Sequence, residues 1–139
     1  MAARSLKVVP ITFRGAEIET TVTTLEREPG GGLVVIPSPL TFAHRAPIIS
    51  AAARNNVPVV YGQSIFVRDG GLLSYGPDPV DTFRRAASYV DRVLRGAKPG
   101  DLPVQFPTNF EMAVNVKTAK ALGLAIPASI LLRADEVIE

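Results

Sequence analysis

An α/β fold built on a parallel sheet is what this sequence predicts, and three observations carry the prediction. Short β-branched runs alternate with helical patterns in the order strand, helix, strand, helix, strand within the first ~60 residues, the arrangement of right-handed βαβ units. Gly15 breaks the first of those segments, and Pro29 with Gly30 to Gly32 stops the second. The chain is 139 residues long with 47% hydrophobic and 20% charged residues, enough apolar material for one buried core.

Taken in order, Leu6 to Phe13 (LKVVPITF) predicts a strand, with Pro10 pointing to an edge position. Ala16 to Glu28 places Ile18, Val22 and Leu25 at spacings of four and three among acidic neighbours, a surface helix with one buried stripe, stopped by Pro29 and the glycines after it. Leu33 to Pro37 (LVVIP) is uniformly apolar and predicts a strand covered on both faces. Ser38 to Phe42 then forms a loop. The next helix carries Ile48, Ile49, Ala52 and Ala53 on one side, begins near Ala46 with Pro47 in its first turn, and ends at Asn55 and Asn56.

Val57 to Tyr61 predicts a third strand, Ser64 to Arg68 a helical turn or an irregular rim, and LLSYG a short strand after the Asp69, Gly70, Gly71 turn. Asp78 is a suitable N-cap, Pro79 fits the first helical position, and Asp81 adds negative charge where the helix end is positive. The helix that follows has a continuous stripe of Val80, Phe83, Ala87, Val90 and Leu94, with Arg92 and Arg95 at its carboxyl end and Gly96 as terminator. Between Gly96 and Phe110 stand Pro99, Pro103 and Pro107, a run too stiff for a random linker and too poor in N–H donors for an interior strand. Such an arm is expected to reach across a gap between bodies. Glu111 to Val116 predicts a strand and Lys117 to Leu122 a short helix closed by Gly123; PASILLRADEVIE ends in a helical turn and a frayed acidic tail.

The chemistry on offer is narrow. Cysteine is absent and His44 is the single histidine, which excludes disulfides, thiolate sites and histidine-based metal clusters; no cofactor or metal is implied. His44 at a helix start reads as solvent-facing or loop-fixing, Asp78 and Asp81 read as helix-capping groups, and Gly30 to Gly32 precede a strand where a phosphate cradle would follow one. No catalytic residue, and hence no enzyme, is predicted. The formal charge is +2 and the 15 basic residues are scattered, with six Phe and three Tyr for stacking, which disfavours nucleic acid. No apolar run approaches the ~18 residues of a membrane helix.

Small ligands of parallel α/β sheets bind beyond the carboxyl ends of the strands. Two loops lie there, residues 38–42 and 62–66, joined by Ser74 to Gly76. They nominate Ser38, Leu40, Thr41, Phe42, Gln63, Ser64, Phe66 and Tyr75 as ligand-binding residues, a set of hydroxyl, amide and aromatic groups without fixed charge that suits a small polar or aromatic solute.

The stretch from Gly70 to Glu139, above all its LLSYGPD and NVKTAKALGL blocks, together with GGLVVIPSPLTFAHRAPIISAAARNNVPVVYG, resembles the carboxyl-terminal half of the ABC transporter substrate-binding proteins of the tryptophan/sugar type. The resemblance implies a Rossmann-like lobe of the periplasmic binding protein type I kind and an incomplete second lobe. Residues 1–68 would form most of the second-lobe layer, residues 69–97 a strand and helix returning to the first lobe, and residues 98–139 the crossing arm, strand and terminal helices back on the second. It implies a solute trapped between lobes, an ABC permease as partner and a periplasmic location; a chain that is the complete product, with no export signal, would instead be cytoplasmic and truncated. Without a first lobe the stripe Val80, Phe83, Ala87, Val90 and Leu94 forfeits ~5–12 kcal/mol of burial. The expectation is a homodimer in which these helices pack together or exchange onto the partner's sheet. The alternative from another class is a cytoplasmic interaction or sensory domain that dimerises through the same helix.

Overall fold

The computed structural model describes residues 7–12, 17–26 and 30–139. A five-stranded sheet organises the chain: β1 (Leu33–Val35), β2 (Val59–Tyr61), β3 (Leu73–Pro77), β4 (Phe110–Asn115) and β5 (Glu136–Ile138), side by side in that order. β1, β2 and β3 run parallel, β4 is antiparallel to β3, and β5 is parallel to β4. The fold is therefore mixed α/β with a mostly parallel sheet.

Register divides the side chains between two faces. Val35, Tyr61, Ser74, Ala113 and Glu136 are successive partners on one face; Val34, Val60, Leu73, Val114 and Val137 are partners on the other. Helices α1 (Ile18–Glu26), α3 (Arg45–Arg54) and α4 (Ser64–Arg68) accompany the first face, where Ile18, Val22, Val35, Ile48, Ala51, Ala52, Val59, Tyr61 and Phe66 form one core. Burial in that core pushes the Tyr61 phenol above its ordinary range, because the phenolate would lose its hydration. Within the predicted α1 stripe Ile18 and Val22 are buried; the side chain of Leu25 lies outside the described residues, as do the ends of that predicted helix.

Several local signals act as read. Pro47 sits in the first turn of α3, Asn56 takes a left-handed conformation (φ 49°) just beyond it, and Gly123 (φ 66°) follows α6 (Val116–Ala121). Asp78 caps α5 (Pro79–Leu94), its Oδ1 accepting from the Val80 and Asp81 N–H groups at 2.8 and 3.3 Å. Beyond α5 the chain makes a 3₁₀ turn over Pro99–Asp101 and returns along the helix: Tyr89 donates to the Pro103 carbonyl, and Arg85 donates to Gln105 and Thr108. The Asp78 N–H bonds to the Asn109 carbonyl at 3.0 Å, so helix and arm start and finish beside each other at the end of the β3–β4 pair.

Four expectations are corrected. The described part of the first predicted strand, residues 7–12, is exposed and in no strand; Pro10 has no N–H to give a ladder, and the outer edge of β1 has no partner among the described residues. Its ends, Leu6 and Phe13, lie outside the described residues. β1 is not covered on both faces: Val34 points to the face away from α1, α3 and α4 and is 70% exposed, and Ile36 just beyond the strand is also exposed. Residues 38–42 are not an irregular loop but the start of a short helix, α2 (Pro39–Ala43). The carboxyl terminus does not fray: after α7 (Ala128–Leu131) it forms β5, held by two contacts of Asp135 with the Met112 backbone and by Arg68, which donates twice to Glu136 Oε2 and once to Oε1.

Candidate functional site

The carboxyl ends of β1, β2 and β3 meet at one rim of the sheet, and the nominated residues gather there with unequal freedom. Ser38 is the N-cap of α2. Its Oγ accepts from the Thr41 N–H at 3.1 Å while Thr41 Oγ1 accepts from the Ser38 N–H at 2.9 Å, a reciprocal capping box. Thr41 is buried, with its hydroxyl also on the Ile36 and Ser38 carbonyls, so it shapes the loop rather than lining open space. Leu40 and Phe42 are exposed on the same short helix, and the Arg45 guanidinium sits 5.1 Å from the Phe42 ring centroid. His44 bonds through Nδ1 to the Leu40 carbonyl, a fixing contact between α2 and α3.

At the end of β2, Gly62 leads to Gln63, the N-cap residue of α4, whose side chain makes no capping bond. Ser64 is buried, and Phe66 is only 2% exposed, stacked on Tyr61 at 4.8 Å between centroids. Phe66 thus faces the core, away from the rim, although the sequence nominated it beside Phe42. β3 brings Tyr75 to the open side, 54% exposed and stacked on Phe110 at 5.5 Å with the rings 16° apart. Of the eight nominated residues, then, Leu40, Phe42, Gln63 and Tyr75 present surface, Ser38 has its hydroxyl engaged, and Thr41, Ser64 and Phe66 face inward.

Backbone approach closes the rim between β2 and β3. A Cβ on Gly76 would lie 2.1 Å from the Gly62 carbonyl oxygen, and one on Gly62 would lie 2.3 Å from the Pro37 ring. Only hydrogen atoms fit between these three strand ends. Two residues the sequence reading passed over complete the rim. Phe110 supplies the second aromatic ring; Glu111, opposite Gly76 in the β3–β4 register, accepts a hydrogen bond from Ser64 Oγ at 2.7 Å. A carboxylate between Phe110 and Met112 in the strand FEMAVN was the available signal for Glu111; its partner 47 positions away was not visible.

A separate groove of about 590 Å³ lies away from the rim, between α5 and the returning arm. Val90, Val93, Leu94, Leu102, Val104 and Phe106 give it an apolar lining. No residue of α5 is buried, and the nominated stripe is open, with Phe83 76% and Leu94 82% exposed and Val80, Ala87 and Val90 exposed as well.

Comparison with known proteins extends over the same elements. The chain is 28% identical over 93 residues to a tyrosine-binding protein of Clostridioides difficile, a match spanning 66% of this chain and 27% of that protein. Among solved structures, a domain from Streptococcus pneumoniae in complex with L-Trp superposes with a TM-score of 0.78 at 29% identity, covering 89% of this chain and 42% of that one. A conserved domain protein from Vibrio cholerae gives 0.79 at 24% identity with the same coverages, a likeness of fold. The chain thus spans less than half the length of these relatives. A family profile described as ABC transporter substrate binding protein matches residues 1–138, in which the rim, α5 and the arm all fall, and on that match the chain belongs to the ABC transporter substrate-binding protein family.

Proposed function

We propose that this chain is a solute-binding component of an ABC-type importer and that a small polar or aromatic solute docks at the rim formed by Phe42, Gln63, Tyr75 and Phe110. The observation that carries the reading is the exposed Tyr75–Phe110 stack at the carboxyl end of a mostly parallel sheet, where α/β folds receive ligands. Paired rings in solvent stand to gain from a flat apolar partner. The tyrosine-binding relative and the L-Trp complex make aromatic amino acids the first solutes to test.

The arrangement at the end of the β3–β4 pair supports a hinged mechanism. α5 and the arm leave and rejoin the sheet side by side through Asp78 and Asn109, the geometry of a projection that enters a second lobe and returns. Because β3 stays in the sheet between β2 and β4, the division expected at residues 69–97 moves: residues up to 77 and from 110 onward belong to one lobe, and α5 with the arm, residues 78–109, reaches into the other. The solute is trapped as the lobes close, and the closed form is handed to an ABC permease in the periplasm. Small-molecule sites bury ~70–90% of their ligand, so one rim is half of a site.

A thermal-shift panel of amino acids, small carboxylates and nucleosides tests the reading, followed by titration of Phe42→Ala and Tyr75→Ala in the full-length protein. Each substitution is expected to weaken the identified solute roughly tenfold or more, the loss of one aromatic contact. Intact affinity in both variants overturns the assignment of the site.

A second reading is favoured by the wholly unburied α5: a cytoplasmic interaction or sensory domain that dimerises through Val80, Phe83, Ala87, Val90 and Leu94. A reading frame that encodes an export signal ahead of this segment argues for the importer; a frame that encodes none argues for the second reading.

A further inference from the structure

Helix α5 carries two stripes, and the returning arm takes the polar one. Asp81, Arg85 and Tyr89 succeed one another at four-residue spacing and are the half-buried residues of α5; every other residue of the helix is exposed. Arg85 Nη1 donates to Thr108 Oγ1 at 2.7 Å and Nη2 to Gln105 Oε1 at 2.8 Å, the Asp81 carboxylate stands 4.0 Å from that guanidinium, and the Tyr89 hydroxyl donates to the Pro103 carbonyl. Thr82, Ser88 and Arg95, by contrast, make their hydrogen bonds within the helix.

The arm is shaped to receive these groups. Pro103 and Pro107 fix their own φ and hold the residues before them, Leu102 and Phe106, extended; Leu102 has φ −88° and ψ 129°. A chain of that kind repeats every three residues, so Leu102, Gln105 and Thr108 share a face. That face is turned to α5: Gln105 and Thr108 both bond Arg85, and Leu102 is half-buried while residues 103–109 are exposed. Residues 102–109 belong to no helix or strand, so between the Pro99–Asp101 turn and the Asn109 crossing the bonds that hold the arm come from side chains. The planar fork of Arg85 reaches two points on one arm face, which the single ammonium of a lysine does not. Two crossings, at residues 77–78 and 109–110, tie helix and arm to the sheet, and the Asp78 N–H joins them through the Asn109 carbonyl at 3.0 Å.

We infer that the stripe of Asp81, Arg85 and Tyr89 is a clasp that makes α5 and the arm one rigid flap turning about those crossings, with Arg85 as its positioning residue. The clasp stands on this chain alone; its part in solute binding rests on the reading of residues 78–109 as a projection into a second lobe. A lobe carried on a rigid flap samples few orientations, whereas one carried on a helix and an arm that move separately samples many. The closed orientation is then a smaller fraction of the population, and apparent affinity falls with that fraction.

The test joins ¹⁵N relaxation on the 139-residue chain to calorimetric titration of the full-length protein with L-tyrosine and L-tryptophan. In wild type the order parameters of Gln105, Phe106 and Thr108 should match those of α5, about 0.85. Arg85→Met keeps the stem and removes the donors; it should lower the arm values below about 0.6 and leave α5 unchanged. Gln105→Ala with Thr108→Val removes the acceptors and should do the same, and Arg85→Lys should fall between. Arg95→Met is the control: its partner is Asp91 on the same helix, and the arm should stay rigid. In the full-length protein Arg85→Met should weaken both solutes by the same factor, roughly three- to tenfold, because it acts through the flap and touches neither. A wild-type arm as mobile as the variant's, or an arm that stays rigid in both Arg85→Met and the double variant, overturns the clasp. A mobile arm with affinity unchanged overturns its part in solute binding. Phe42→Ala and Tyr75→Ala separate this from the reading of the rim, since affinity indifferent to them but lowered by Arg85→Met removes the rim site and keeps the flap. Where the full-length protein binds neither solute, the part in binding falls and the relaxation data decide the clasp.

Discussion

Gly76 shows how little room a single residue has at the rim. The atom that an added methyl would meet is the Gly62 carbonyl oxygen at 2.1 Å, and because that atom is backbone, relief requires the β2 and β3 ends to part. Gly76→Ala is therefore expected to cost about 2–4 kcal/mol, read as a lower urea midpoint at unchanged m-value, and to loosen the Glu111 pairing with it. Phe66→Ala tests the opposite case of a nominated site residue that serves packing: the stacked ring leaves a cavity under Tyr61, and about 3–5 kcal/mol of stability should be lost. The sequence placed Gly62 and Ser64 in one rim loop and Ser74 to Gly76 in the segment joining it, yet could not tell which of their neighbours pointed outward. Contacts such as Ser64 with Glu111 join positions 47 apart, and no local pattern encodes them. Tyr75 could be nominated from its strand end alone; Phe110 could not, because its stack forms only after antiparallel pairing brings β4 beside β3.

At the scale of elements, what was legible is what local chemistry dictates. α5 combines an Asp cap, a first-turn Pro and a regular apolar stripe, so its start could be read to the residue. Asp78→Ala should cost about 1 kcal/mol and fray the first turn, visible as faster amide exchange at Val80 and Asp81. β5 was missed for the opposite reason: ADEVIE carries three acids, and only pairing with β4 and the Arg68 contact make it a strand. That contact predicts a pH dependence. The hydrogen bond from Arg68 holds the Glu136 carboxyl below its ordinary value of 4.5, so the folded state binds this proton less readily than the unfolded chain. Its stabilisation is fully present above the ordinary glutamate range and is lost as pH falls through the depressed folded value. Melting curves of wild type and Glu136→Gln should accordingly differ at neutral pH and converge in acid, with a small difference throughout because the pair is exposed. Curves that stay parallel into acid would show that β5 is held by its backbone ladder alone.

For the whole molecule the governing fact is apolar surface with nothing over it among the described residues. The α5 stripe adjoins the groove with Val93, Leu102, Val104 and Phe106, so helix and arm present one broad apolar flank, and the sheet adds Val34 and Val137 on the face opposite the core. Burying a Val, Leu or Phe side chain is worth about 1.5–3 kcal/mol, and four such residues stand in the stripe, so covering them contributes on the order of a domain's net stability. A net charge of +2 opposes self-association only weakly. A second copy is the cover available to the isolated chain, and a two-fold arrangement satisfies both helices at once. The 139-residue chain should therefore behave as a dimer at micromolar concentration in light scattering. Phe83→Asp combined with Leu94→Asp should return it to a monomer without unfolding it, since neither side chain is part of the folded core. A polypeptide that also supplies a second lobe is expected to cover the flank with it. The same two substitutions should then lower that protein's stability by several kcal/mol and leave its oligomeric state unchanged. A wild-type chain that stays monomeric at these concentrations removes the dimer.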